Sequence, residues 1–399
     1  MQRYPSLANS NTTTASNREK SPSRHADGKT SSRDEDAEKV QSEQKEVDTP
    51  PNGGYGWVVV ACVLMINAHT WGLNAAYGVF LAHYLSQDGL FPGAGPLEYA
   101  FIGGLSISQA LMISPLVGWT TKHLGTTTTL LIGAVLESMA FIGASFSTQI
   151  WHVFLSQGVC FGWGMGFLYV GSAGITAQWF TTRRSLANGI AASGAGLGGV
   201  VYSLAAQAII RSINLAWSFR ILAIAAFTAN AVSAILIKDR NKHIGTQMSF
   251  DYRLLLRWEF IGFLLFGILS ELAYVVLLFS LPNYSTTIGL THQQGSIIGA
   301  LFNLGLALGR PIIGYYSDSI GRINMASAMT CLSGVFCLLI WMFAQNFGVL
   351  ALFSVLGGAV GGTFWAVAAP VTTEVVGLVD LSAALSCTWL VLVLPTTCE

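Results

Sequence analysis

Pro51-Asn52-Gly53-Gly54-Tyr55-Gly56-Trp57-Val58-Val59-Val60 divides the chain into two kinds of matter. Before it runs a charged tail rich in Ser and Thr; after it come apolar segments long enough to cross a bilayer. Gly and Pro stop a helix from reaching back into the tail. Tyr55 and Trp57 are amphipathic aromatics placed where a spanning helix enters the headgroup layer. The stretch therefore reads as the start of a first transmembrane helix.

Composition on either side agrees. Of 399 residues, 10% are charged and 52% hydrophobic, against about 25% charge in an average soluble protein. Eight of the twenty Lys and Arg and nine of the twenty acids lie before residue 50, so the remainder is nearly free of charge. The balanced net charge gives no footing for a nucleic-acid partner. Residues 1–50 lack the apolar core of a signal peptide. They hold too few apolar groups to offset ordering entropy, which predicts a disordered cytosolic tail. Ser21-Pro22 is either a phosphate acceptor or part of a plain solvated extension. The six cysteines (Cys62, Cys160, Cys331, Cys337, Cys387, Cys398) show no metal-ligand spacing and read as buried free thiols. No metal and no cofactor is expected.

Hydropathy predicts spans near Trp57–Leu81, Tyr99–Trp119, Thr128–Phe146, His152–Ala177, Leu186–Ile210, Trp217–Ile237, Phe260–Leu281, Gly295–Tyr316, Met325–Phe343 and Phe347–Ala369. A partial eleventh runs from Leu381 to Leu394, short of a ~30 Å hydrocarbon core, and reads as a truncated or misassigned end. Lys122, then Arg183 and Arg184, then Lys238, Arg240, Lys242, Arg253 and Arg257, then Arg322 fall in alternate connectors. Positive residues are retained on the cytosolic side during insertion, so these connectors and the tail are expected there. The expected organisation is a tail (1–50), an N-terminal six-helix bundle (51–237), a central cytosolic loop (238–257) and an incomplete C-terminal bundle (258–399).

The chain also repeats itself. Ile102-Gly103-x-Leu105 returns as Ile298-Gly299-x-Leu301, and Pro115-Leu116-Val117-Gly118-Trp119 as Pro311-Ile312-Ile313-Gly314-Tyr315. Both sit in the second helix of a half, as two parallel six-helix halves would produce. Gly314-Tyr315-Tyr316-Ser317-Asp318-Ser319-Ile320-Gly321-Arg322 resembles the Gly/Asp/Arg-bearing loop of the major facilitator superfamily. Gln178-Trp179-Phe180-Thr181-Thr182-Arg183-Arg184-Ser185-Leu186-Ala187-Asn188-Gly189-Ile190-Ala191, with the 51–60 stretch, resembles the paired signature of monocarboxylate transporters, in particular fungal homologues. Asn52 stands where that signature carries an acid. The resemblance runs from about Pro51 to Pro395. It implies an all-α membrane protein of the major facilitator fold, not an enzyme, that works by alternating access in a membrane, the plasma membrane before internal ones.

Charge inside a bilayer is costly, so each buried ionisable residue is a candidate site. Arg310 lies within the eighth span, just before Pro311. By resemblance it meets a substrate carboxylate, and a guanidinium fork suits that group; the alternatives are snorkelling or pairing with Asp318. Proton-linked members carry an Asp where this chain has Leu306, and a first-helix lysine where it has Asn74-Ala75-Ala76-Tyr77. Glu271 is the candidate for a coupled proton or, equally, a hydrogen-bonded structural group; Glu137 reads as structural. Trp71, Asn74, Tyr77, Asn303 and Trp365 offer aromatic and amide groups to a small organic solute, or else packing. Arg183, Arg184, Gly314, Asp318, Gly321 and Arg322 are expected in the loops that latch the two halves, and Ser185 as the cap of the fifth helix. The glycines Gly158, Gly162, Gly166, Gly194 and Gly198 are spaced to let helix backbones approach. The readings that remain open are a monocarboxylate carrier, a riboflavin-type carrier and a non-transporting sensor or decayed paralogue.

Overall fold

Helices that must cross hydrocarbon have to satisfy their backbone internally, and this chain does so with bends placed at identifiable residues. A computed structural model describes residues 50–86, 95–240 and 252–397. The tail ahead of Pro50, with Ser21-Pro22, lies outside the described residues, as do Cys398 and the middle of the central connector. The first span is α1 (Gly56–His69), α2 (Trp71–Ala75) and α3 (Tyr77–Ser86). The second is α4 (Pro96–Met112) and α5 (Ser114–Leu124), bent by 45°. Pro115 in the first turn of α5 has no N–H to continue the α4 ladder, which accounts for the bend. The third span is α6 (Thr126–Ala144).

The fourth is assembled from α7 (Ile150–Val153), a π-helical stretch (Phe154–Cys160), α8 (Phe161–Ser172) and α9 (Ile175–Trp179). It breaks at Ala173–Gly174, where Gly174 takes a left-handed φ of 81° that a residue without Cβ adopts freely. The fifth and sixth spans are α10 (Arg184–Ser212) and α11 (Leu215–Leu236), the latter capped by Asn214 Oδ1 accepting from Trp217 N at 2.9 Å.

The second half begins with α12 (Trp258–Thr287), α13 (His292–Ile320) and α14 (Arg322–Leu339). Its tenth span is α15 (Phe347–Gly361) joined through Gly362 to α16 (Thr363–Val376), and α17 (Leu381–Thr397) follows. Counting the bent second span as one, ten of these units are long and apolar enough to cross a membrane, with α17 as a shorter apolar helix. The expected ten spans and partial eleventh are observed. Boundaries shift by a few residues: α12 and α13 run on at both ends, and α17 continues through Pro395 rather than stopping at Leu394.

Packing follows the glycines. On α10, Gly194 and Gly198 press against the Leu64 and Ala68 carbonyls of α1, while Gly189 and Gly196 press against the Arg310 and Asn303 carbonyls of α13. One helix therefore seats its own half on one side and the other half on the opposite side, at a distance that leaves no room for side chains. Gly314 of α13 returns the contact onto the Ser185 carbonyl. Many Leu, Ile and Phe side chains remain exposed on the outer surface, as a hydrocarbon solvent requires. Glu137 is one of several polar groups buried within the bundle. It is fully buried between α6 and α11, where its Oε2 accepts from Asn230 Nδ2 at 2.6 Å, in keeping with a structural role.

Candidate functional site

A cavity of about 920 Å³, its mouth included, lies between the halves and is walled by both. Arg310 on α13 reaches it 4% exposed, its Nη1 donating to the Ala192 carbonyl of α10 at 2.6 Å. The guanidinium lies against the break in the tenth span. A Cβ at Gly362 would stand 3.0 Å from Arg310 Nη2 and strike Leu306, so a bare glycine makes the room Arg310 occupies. Glu271 on α12, 2% exposed, lines the same cavity. Tyr169 and Tyr274 line the cavity as well, so a cation, an acid and two hydroxyls share one wall.

Of the residues expected at a site, Arg310, Glu271, Trp71, Asn74, Asn303 and Trp365 are brought together here. The Asn74 amide donates to Ser106 Oγ at 2.8 Å and that of Asn303 to the Gly299 carbonyl at 3.1 Å. Tyr77 does not join the cavity wall. Its hydroxyl donates to the Tyr99 carbonyl at 2.6 Å and its ring covers Gly103. The cause is the break at Ala76, which ends the helical register that would have set Tyr77 one turn from Asn74. His69, just before Trp71, is held with its Nδ1 2.7 Å from the Met65 carbonyl.

Among the other residues that line the cavity, Asn188, Tyr169 and Trp389 had not been singled out. Asn188 donates to the Ala366 carbonyl across the halves at 2.6 Å and accepts from Thr176. Its position inside the 178–191 stretch was the available signal. Tyr169 and Trp389 sit on helices whose cavity faces hydropathy does not mark.

On one side of the cavity the halves are tied together by charge. Asp318 accepts from Ser185 N at 3.0 Å and Leu186 N at 2.9 Å, so its carboxylate caps the positive end of α10 from the other half. Ser185 does not cap α10 itself; its hydroxyl accepts from Arg322 Nε at 3.0 Å. Arg322 also pairs with Asp318 at 3.2 Å and Glu374 at 2.7 Å, and donates to the Thr181 carbonyl at 3.0 Å. Arg310 and Asp318 thus have separate partners. Gly321, at φ 107°, turns the chain between α13 and α14 so that Arg322 can reach back. Arg184 fastens the connector by donating to the Phe180 carbonyl at 2.9 Å, whereas Arg183 is exposed.

Asn52 joins this latch. Its Oδ1 accepts from Thr181 N at 2.6 Å, Thr181 Oγ1 at 2.8 Å and Thr182 N at 3.1 Å. A carboxamide oxygen therefore fills the acceptor position that an acid would fill.

A paired-half bundle around a central cavity is a feature of many carriers, and comparison with known proteins decides among them. The model of the Major Facilitator Superfamily matches residues 59–258 and 260–388. The chain belongs to the major facilitator superfamily. Among curated relatives, this facilitator is 33% identical to the probable transporter MCH2 of Saccharomyces cerevisiae over 348 residues, covering 85% of this chain and 73% of the relative. It is 32% identical to the uncharacterized transporter ESBP6 of the same yeast, covering 79% of this chain and 49% of that one. Among solved structures, the facilitator shares its fold with the proton:xylose symporter XylE, at a TM-score of 0.62 and 14% identity over 85% and 86% of the two chains. Membership makes the protein a multi-pass membrane transporter of solutes, and not an enzyme.

Proposed function

We propose that this facilitator carries a small organic anion, a monocarboxylate first of all, by alternating access, with the solute's carboxylate held by Arg310 and a proton taken up at Glu271. The observation that carries the reading is the buried Arg310 guanidinium in a cavity shared by both halves, its Nη1 donating to the Ala192 carbonyl and its Nε left without an acceptor. A buried cation of that kind is satisfied best by a carboxylate, which accepts in a fork and neutralises the charge. Glu271 supplies an acid in the same cavity where the resembling family's Asp is replaced by Leu306.

The latch of Asp318, Arg322 and Ser185 closes one side, so this conformer loads from the opposite one. The connectors on the latch face carry Lys122, Arg183, Arg184 and Arg322, which supports a cytosolic latch face and an N-terminus on that side. Residues 51–237 and 258–399 are the two halves that rock, joined by 238–257, in the plasma membrane.

The test is uptake of radiolabelled pyruvate by yeast lacking its own carriers. The full chain raises uptake, Arg310→Ala at equal surface expression abolishes it, and Arg310→Lys lowers it by about tenfold or more, since an ammonium lacks the fork. Flat pyruvate uptake overturns the reading, and riboflavin measured alongside tests the riboflavin-type alternative.

A further inference from the structure

Four aromatic side chains meet in the cavity wall beside Arg310, two from each half: Trp71 on α2 and Tyr169 on α8, Trp365 on α16 and Trp389 on α17. Trp365 and Trp389 stack at 5.4 Å with 8° between their planes. Trp71 and Tyr169 meet edge to face at 5.3 Å. Across the halves, Trp71 lies 4.9 Å from Trp365, and Tyr169 lies 5.7 Å from Trp365 and 5.4 Å from Trp389. Each half thus owns one aromatic pair, and the two pairs close on each other.

Packing alone does not explain this choice of side chains. The indole nitrogens of Trp71, Trp365 and Trp389 are all shut away without an acceptor, as is Arg310 Nε on the same wall. A buried donor with nothing to bond destabilises the state that holds it, and leucine or phenylalanine would fill the same space without that penalty. Four idle donors and four ring faces around one cavity form a wall complementary to a flat ligand that carries acceptors.

Resting on the carboxylate reading of Arg310, we propose that the solute is a planar aromatic or heteroaromatic carboxylate. Its acid group meets Arg310, and its ring exchanges for the ring contacts between the two aromatic pairs. Acceptors on the solute take the indole N–H groups. Because the exchanged contacts are those that join the halves, occupancy and the separation of the halves act on the same four rings.

Calorimetric titration of the purified full chain in lipid nanodiscs with acetate, cyclohexylacetate, phenylacetate and 3-pyridylacetate tests this. Phenylacetate is expected to bind about tenfold or more tighter than acetate and severalfold tighter than cyclohexylacetate, since flat rings stack and a puckered one does not. Trp365→Leu should bring the phenylacetate-to-acetate ratio towards one. Trp389→Phe, which keeps a ring and removes the N–H, should lower 3-pyridylacetate affinity relative to phenylacetate. If phenylacetate matches cyclohexylacetate or acetate, the planar ring is excluded while the carboxylate site stands. If no acid binds a chain whose cooperative thermal unfolding shows it intact, the carboxylate reading falls and this inference with it. If the Trp389→Phe ratio does not move, the indole donors have no part in recognition.

Discussion

Asn52 shows how much one side chain can hold. Its oxygen gathers donors from Thr181 and Thr182 while its own backbone N–H donates to the Trp179 carbonyl at 3.0 Å. The residue adopts φ 56°, a left-handed conformation that asparagine tolerates better than most. Asn52→Asp should leave thermal stability unchanged or raise it, because a carboxylate accepts the same bonds more strongly. Asn52→Ala loses the acceptor and should cost about 1 kcal/mol, read as a lower melting temperature. Glu271 permits a functional test at the same scale. Glu271→Gln keeps size and polarity but cannot release a proton. Uptake driven by an imposed pH gradient should fall by about tenfold, while exchange of labelled for unlabelled solute persists; a gradient response equal to wild type removes Glu271 from coupling.

At the scale of elements, α10 and α13 meet in close backbone contact, and their approach depends on atoms that are absent. A Cβ at Gly189 would already collide with the Arg310 carbonyl. Gly189→Leu should therefore disfavour the closed latch by about 1–3 kcal/mol, the usual penalty of overpacking. The readout is labelling of a cysteine placed at Ser317, which is fully buried here, in a background without native cysteines; its rate should rise about tenfold. Elements were largely legible in the sequence, because twenty apolar residues in a row admit few structures in hydrocarbon. Their interruptions were not. Thr70, Ala76, Ala173 and Gly362 break spans without a proline, and such a break depends on what packs beside it. The misplacement of Tyr77 follows from one of these, whereas Arg310 was readable because a charge at that depth demands a partner.

For the whole molecule, the repeat of Pro115–Trp119 at Pro311–Tyr315 foretold paired halves, and the structure delivers them. It could not foretell which side is shut, since that depends on contacts made between distant residues such as Thr181 and Arg322. Ser185 Oγ and Ser317 Oγ lie 3.4 Å apart across that closure. A double variant, Ser185→Cys with Ser317→Cys in a cysteine-free background, should cross-link on oxidation. Uptake should stop when the bond forms and return when it is reduced, whereas unchanged uptake in a fully cross-linked sample would mean that the two sites need not part during transport.

The carboxylate of Asp318 on the end of α10 carries one last implication. When the halves separate, the amides of Ser185 and Leu186 and the carboxylate itself are taken over by water, so the gain on closing is a difference between two good solvations, on the order of a few kcal/mol at most. A fastening of that modest strength leaves both arrangements within thermal reach of each other. Reversibility is then built into the chemistry of the clasp: a firmer, oil-like seal at the same place would have made a trap.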